Sequence, residues 1–483
     1  MNRLHLMTSP VVAIFLFVVA FSAQAQYSVV PDVFGTESKT APQPGILWES
    51  SRPLPMVPKP ESTGQWNSST PVSLPELTEF ALRNNPRTRQ AWLAARAAAA
   101  NVAIEQADLL PQITANYGAT RTLPVSATSG AASPWLTRWG PSVSLSYVLF
   151  DFGARSSQIE TAEYRLLAAN LAHNRVMQDI VFQVEQAYYQ LIGLDALNGA
   201  NEQSLKNTRT ALDAAQRRKE SGLATVADVY RVETQVAQAQ LNLTRSRGTF
   251  DRVRGQLAGA VGLPVNTTLK VRALEAPSQL KEITTSAADL LERAKAGRPD
   301  LIAAEAQARA ARSNASAVAR AGLPTIELSG TAGHNIFSNN QPTVNNYSVA
   351  VNLRIPLFTG FRDTYSVRQA EALAAQAEAA RDSLSQQTEL EVWQSFYDLQ
   401  IATRAIDSTV AQIKSAEQSA QAVLARYQSG FGSILDLITA QQDESNARVQ
   451  QIQSYLDWYV ALARLNFSMG AGDILATTGG KKK

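Results

Sequence analysis

The 483-residue chain reads as a mixed α+β membrane protein of two tandem repeats, each a long coiled-coil helical hairpin plus a β-hairpin. Three observations carry this reading. First, landmarks recur 208 residues apart: Phe150 returns as Phe358, Ser221-Gly222 as Ser429-Gly430, Asp228 as Asp436 and Gly262 as Gly470. Asn85-Pro86 and Leu110-Pro111 return 213 residues on, as Arg298-Pro299 and Leu323-Pro324. The five-residue change falls between the Leu-Pro pair and the Leu-Phe motif, so one supersecondary unit is built twice with its length change in one loop. Second, residues 154–220 and 362–429 contain no proline, which predicts helices of about 67 residues, roughly 100 Å long at 1.5 Å per residue. Third, the hydrophobic period switches to two after each Leu-Pro, as a strand requires.

The first 25 residues have the pattern of a secretory signal. Arg3 is the positive flank, Val11 to Phe21 is an apolar run too short for a comfortable span, and Ala23-Gln24-Ala25 is a small-x-small cleavage site. An uncleaved anchor is the alternative. Residues 26–72 follow as a Pro-rich extended arm, with Pro42, Pro44, Pro53, Pro55, Pro58, Pro60 and Pro71. Repeat 1 is expected over 73–263, a linker over 264–284, repeat 2 over 285–470 and a flexible tail over 471–483.

Ser73, three residues before Glu76, opens the first helix as a capping box. It breaks at Asn85-Pro86, and an Ala-rich helix then runs to Leu110, where Pro111 stops it. Thr285-Ser286, Arg298-Pro299 and Pro324 do the same in the second copy. The β-hairpins are expected at about 111–150 and 324–358, with loops at about 125–139 and 338–345. Val143, Leu145, Tyr147 and Leu149 alternate with Ser142, Ser144 and Ser146; Tyr347, Val349, Val351, Leu353 and Ile355 alternate with Ser348, Ala350, Asn352 and Arg354. One apolar and one polar face over some ten residues suits a membrane barrel strand, with Tyr117, Trp135, Trp139, Tyr147, Phe150, Phe337, Tyr347 and Phe358 placed for aromatic girdles. A soluble hairpin on a core has the same alternation. Each long helix then ends at a glycine tip, 221–223 or 430–432, and a second long helix returns. Four strands cannot close a barrel, and open edges are forbidden in lipid, so two or three chains must share one.

The chain has no cysteine, which excludes a disulfide scaffold, a thiol catalyst, a cysteine-rich zinc site and a lipidated N-terminal cysteine. The formal charge of +3 falls to −1 once Arg3 and Lys481, Lys482 and Lys483 are set aside, so no nucleic-acid partner is expected. His5, His173 and His334 are far apart, and no phosphate loop, nucleophile elbow or carboxylate cluster appears. The expectation is no enzyme, no catalytic residue, no metal and no cofactor.

Leu-Pro before each first strand, LFDFG and PLFTGFR after each second, and the tips RRKESGLATVADV and LARYQSGFGSILDL resemble the TolC-like outer-membrane efflux proteins. The resemblance covers about 73–470. It implies a homotrimer whose twelve-stranded β-barrel, set in outer-membrane lipid, continues into a periplasmic α-helical barrel. It implies the exit duct of a tripartite efflux or type I secretion system in the cell outer membrane. The tip would dock a periplasmic adaptor (membrane fusion) protein through Ser221, Gly222, Leu223, Ser429, Gly430 and Phe431, linking an inner-membrane pump of RND, ABC or MFS type. It further implies a gate in which Asp228 bonds Tyr427, and a lumen-facing Asp436. The family's reference arginine and second carboxylate are replaced by Gly432 and Thr439. Helix capping is the competing reading for both aspartates. The competing function is a periplasmic coiled-coil adaptor or spacer outside the membrane; two ten-residue hairpins at the helix ends argue against it.

Overall fold

The computed structural model describes residues 71–123, 135–272, 286–338 and 342–470. The expected signal peptide, nearly all of the arm, most of the linker and the tail lie outside the described residues. The same element order occurs twice. Helices α1 (Leu74–Asn84) and α2 (Pro86–Ala107) precede strands β1 (Gln112–Thr122) and β2 (Leu136–Phe150), long helix α3 (Ala154–Glu220) and return helix α4 (Val226–Val261). Helices α5 (Ala287–Gly297) and α6 (Pro299–Ala321), strands β3 (Thr325–Phe337) and β4 (Val344–Arg354), and helices α7 (Arg362–Gln428) and α8 (Ile434–Ser468) follow. Both long helices have 67 residues; α3 carries Gly193 and Gly199 in its interior without breaking. Among the described residues, no helix is long and apolar enough to cross a membrane.

Two apolar cores explain the register of the repeat. In one, Leu77 and Ala81 of α1 meet Val184 and Leu191 of α3 and Val253, Leu257 and Val261 of α4. In the other, Leu290 and Ala294 of α5 meet Val392 and Leu399 of α7, Ala461 and Leu465 of α8 and Met469 at its C-cap. The α1/α5 pairs are 213 apart and the rest 208, so the spacing reflects which side chains fill each core. The first core is also covered by Leu263, Leu269 and Val271. Val72 bridges Val271 in parallel, with Val72 N–H donating to the Lys270 carbonyl at 2.9 Å. The start of the expected linker is therefore part of this core.

Beside each core the helix break seals the end of the return helix. Asn85 Nδ2 donates to the Ala260 carbonyl at 2.8 Å, and Arg298 Nη1 donates to the Ser468 carbonyl at 3.2 Å. Both carbonyls lie two residues before a left-handed glycine, Gly262 (φ 87°) or Gly470 (φ 71°). A Cβ on Gly262 would stand 3.2 Å from Asn85 Cα, and one on Gly470 2.9 Å from Arg298 Cα. Both the sign of φ and the close approach thus demand glycine.

The strands form one antiparallel sheet in the order β1-β2-β3-β4. Strand β2 begins at Leu136, taking in the last four residues expected for its loop, because Leu136, Thr137, Arg138 and Trp139 pair with Thr122, Arg121, Thr120 and Ala119. The strand continues through Gly140 and Pro141 in close contact with β3, a Cβ on Gly140 falling 1.8 Å from the His334 carbonyl oxygen. The Leu-Phe motifs are turns with two successive left-handed residues, Phe152-Gly153 (φ 54° and 85°) and Gly360-Phe361 (φ 67° and 62°). Ring contacts steady the unfavourable phenylalanine conformers: Phe150 on Phe152 at 4.7 Å and Phe358 on Phe361 at 5.5 Å. Asp151 accepts from Gly153 N–H and from Arg155 Nε, while Arg155 Nη2 donates to the Val148 carbonyl. The strand end is thereby tied to the helix start.

Candidate functional site

The two ends of the long helices carry the candidate function. At the far end from the sheet, α3 and α7 close with the same Schellman motif. Gly222 N–H donates to the Lys219 carbonyl and Leu223 N–H to the Arg218 carbonyl; Gly430 N–H donates to Tyr427 and Phe431 N–H to Arg426. Gly222 (φ 71°) and Gly430 (φ 92°) supply the left-handed residue. Ser221 and Ser429 return their hydroxyls to the Arg217 and Ala425 carbonyls. This geometry projects Leu223 and Phe431 outward, 68% and 82% exposed.

The aspartate six residues beyond each glycine is the third residue of the return helix, where it completes a capping box. The Asp228 carboxylate accepts from Thr225 N–H at 2.9 Å and Thr225 Oγ1 at 2.8 Å. These bonds hold its pKa below the ordinary aspartate value. Asp436 pairs with Ser433 in the same manner.

The expected Asp228–Tyr427 bond is not seen in the protomer: one Asp228 carboxylate oxygen accepts both bonds from Thr225, and the Tyr427 hydroxyl is buried without a hydrogen-bond partner. Tyr427 is 2% exposed. It sits in a tip core with Ala211, Ala215, Val229, Val232, Ile434 and Leu437, drawn from both hairpins. Its polar partner is Arg218 of α3, whose Nη1 donates to the Tyr427 carbonyl at 2.7 Å. The Arg218 guanidinium also lies 4.5 Å from the centre of the Tyr427 ring. Arg218 was visible in sequence only as one of several basic residues before Ser221-Gly222. Gly432, where the family's reference member has arginine, is tight against the end of α7: a Cβ there would lie 3.0 Å from Tyr427 N, so the backbone would have to give by a few tenths of an ångström.

At the other end, the pairing register sorts the sheet into two faces. One carries Ile113, Ala115 and Tyr117 of β1, Leu145, Val143 and Trp139 of β2, Leu328, Ala332 and Ile336 of β3, and Val351, Val349 and Tyr347 of β4. The other carries Gln112, Thr114 and Asn116; Ser146, Ser144 and Ser142; Glu327, Ser329 and Thr331; and Asn352, Ala350 and Ser348. A bulge between Val148 and Phe150 turns Phe150 onto the apolar face opposite Ile326. Of the aromatics expected in girdles, Phe337 falls on the polar face, opposite Arg138. Every residue of β1 and β4, the two edge strands, is exposed.

An open four-stranded sheet with one apolar and one polar face, continuous with two 67-residue helices that end in glycine tips, finds its match among known proteins. The model of the family described as "Outer membrane efflux protein" matches residues 77–263 and 290–471. The chain belongs to the outer membrane efflux protein family. It is similar to protein CyaE of Bordetella pertussis, 28% identical over 391 residues, covering 79% of this chain and 80% of that one. It is similar to the outer membrane protein OprJ of Pseudomonas aeruginosa, 26% identical over 415 residues, covering 83% and 84%. Its fold matches the crystal structure of the outer membrane protein VceC from Vibrio cholerae with a TM-score of 0.72 at 22% identity, covering 83% of this chain and 96% of that one. As a member of the outer membrane efflux protein family the chain is an outer-membrane exit channel for efflux or secretion, with a periplasmic helical extension. The family is one of channels, and the competing reading as a periplasmic adaptor finds no support in it.

Proposed function

We propose that three copies of the chain close a twelve-stranded barrel, β4 of each pairing with β1 of the next, and that the helices of the three continue it as a periplasmic tunnel. The observation that carries this is the pair of bare edge strands on a sheet whose one face is apolar. In lipid such edges must be paired, and closure is the only arrangement that leaves none. The tips, with Leu223 and Phe431 outermost, would dock a periplasmic adaptor, and through it an inner-membrane pump of RND, ABC or MFS type. Within each protomer the Arg218–Tyr427 contact takes the place expected of Asp228–Tyr427 as the strut that ties the two hairpins at the closed tip. Asp436 caps α8 and would line the same constriction.

The absence of cysteine makes closure directly testable. A panel of double variants with one cysteine on β1, such as Ala115→Cys, and one on β4, such as Val349→Cys, should yield a covalent trimer in outer-membrane fractions under oxidation. Only monomers from every pair in the panel would refute closure by three copies.

A further inference from the structure

The sequence of the two hairpins is almost free of charge. Over 111–150 and 324–358 the charged side chains are Arg121, Arg138, Glu327 and Arg354, with His334 the one further titratable group apart from tyrosines. The register divides them. Arg121 shares the apolar face with Tyr117 and lies 5.2 Å from the Trp135 ring centre. His334, opposite Asn345, is on that face too. Arg138, Glu327 and Arg354 lie on the polar face. They are not equivalent along the strand. Arg354 pairs with Thr325, one step from Glu327, at the helix end of the sheet. There the acid and the base offset each other, and Glu327 accepts a hydrogen bond from Ser146 Oγ at 2.7 Å. Arg138 stands at the opposite, loop end, between Thr120 and Phe337. Among the described residues it makes no ion pair, and residues 124–134 and 339–341 contain no acid.

We infer that Arg138 sets an anion preference in the outer half of the barrel lumen, with negatively charged solutes as the favoured cargo at the exit. The inference rests on the three-chain barrel proposed above, in which the polar face lines the lumen. Three copies then place three Arg138 guanidinium groups around the outer mouth with no carboxylate at that level. Rings of arginine or lysine in pores favour anions by the same electrostatics.

The test measures local potential rather than whole-channel current, so a constriction at the periplasmic tip cannot mask it. Thr120 is the cross-strand partner of Arg138, and cross-strand Cβ atoms are about 5 Å apart. In the cysteine-free chain, Thr120→Cys is labelled from outside with the anionic sulfonatoethyl and the cationic trimethylammonioethyl methanethiosulfonates. The ratio of the two rates is normalised to that of a free thiol in solution. One screened charge at that distance should favour the anionic reagent by roughly threefold at physiological salt. Adding Arg138→Gln should abolish the preference, and Arg138→Glu should invert it, an overall swing of about tenfold. An identical ratio in all three backgrounds would overturn the inference. Ala119→Cys, on the opposite face, should resist both reagents. If Ala119→Cys reacts and Thr120→Cys does not, the assignment of faces, and with it the barrel reading, is what fails.

Discussion

Removing the Arg218 side chain should open the resting channel, and Tyr427→Phe should not. The magnitude follows from the contacts. The Arg218 guanidinium makes one charge-assisted bond to the Tyr427 carbonyl at 2.7 Å and stacks 4.5 Å from its ring. Hydrogen bonds to charged groups contribute about 1.5–3 kcal/mol and a partly exposed cation–π contact about 0.5–1 kcal/mol. Arg218 is half-buried, so about 2 kcal/mol is a fair total for Arg218→Ala. That is roughly a thirtyfold shift per protomer in the balance between closed and open tips. Tyr427→Phe removes a hydroxyl that is buried and unpartnered. It leaves the carbonyl and the ring in place, so it should be neutral or firm the closed state by up to about 1 kcal/mol. Arg218→Lys should fall between, because an ammonium can donate to the carbonyl but cannot stack as a plane. Single-channel recording in planar bilayers reads the difference as the frequency and size of openings. If Tyr427→Phe opened the channel while Arg218→Ala left closed-state conductance unchanged, the phenol would be the latch and the strut would be wrong.

Three further outcomes are expected. Arg298 is 1% exposed and holds Asp300 at 2.6 Å and Glu391 at 2.7 Å. Arg298→Ala strands both acids and should cost about 3 kcal/mol, at the low end for a broken buried pair because Arg175 still reaches Asp300 at 3.7 Å; denaturation in detergent followed by circular dichroism would contradict this with a loss below about 1 kcal/mol. Burial raises the Glu185 pKa from 4.5 to about 7. The folded state then holds a proton that the unfolded chain has released, so stability should fall as pH rises from about 4.5 to about 7 and level off above, by at most about 3 kcal/mol. Glu185→Gln should remove that slope, and a melting-temperature profile identical to the parent between pH 5 and 8 would rule the effect out. Gly222→Val and Gly430→Val force a β-branched residue into left-handed backbone; efflux, scored as drug resistance, should be lost while trimers persist in the membrane, and full resistance would remove these turns from docking.

Much of the fold is legible in the residues because the repeat places independent signals at one spacing. Proline-free stretches bound α3 and α7, and Ser73 with Glu76 marks the start of α1, the carboxylate accepting from Ser73 N–H at 2.8 Å. What failed, failed for local reasons. Leu136 to Trp139 fall at the end of the loop expected over about 125–139, yet they pair with Thr122 to Ala119, and the strand continues through Gly140, whose missing side chain lets β3 approach. Asp228 could cap or latch, and its sequence position fits both. Thr225, three residues before it, makes the cap: its side chain and the Asp228 carboxylate supply the two halves of a capping box. Arg218 carried no distinguishing signal among Arg217, Arg218 and Lys219. Arg218 lies seven and three residues beyond Ala211 and Ala215, on the face of α3 that enters the tip core with Tyr427, and that placement singles out the basic side chain that meets it.

The same logic explains why the two helix breaks carry different residues. Asn85 and Arg298 do one common task, binding the carbonyl two residues before the glycine that ends a return helix. An asparagine amide suffices for that, and its bond stays within the first repeat. Arg298 reaches further, to Asp300 of α6 and Glu391 of α7. Asp300 in turn faces Arg175 of α3, whose guanidinium lies 4.0 Å from the Phe467 ring centre in α8. The second break therefore joins α3 of the first repeat to three helices of the second. Two copies of one unit need a contact that neither copy contains alone, and a long, forked, permanently charged side chain at this position supplies it where asparagine could not. Divergence between the repeats is then expected at the surfaces where they meet. Arg298 opposite Asn85 at the junction, and Tyr427 opposite Lys219 at the tip, are both of that kind.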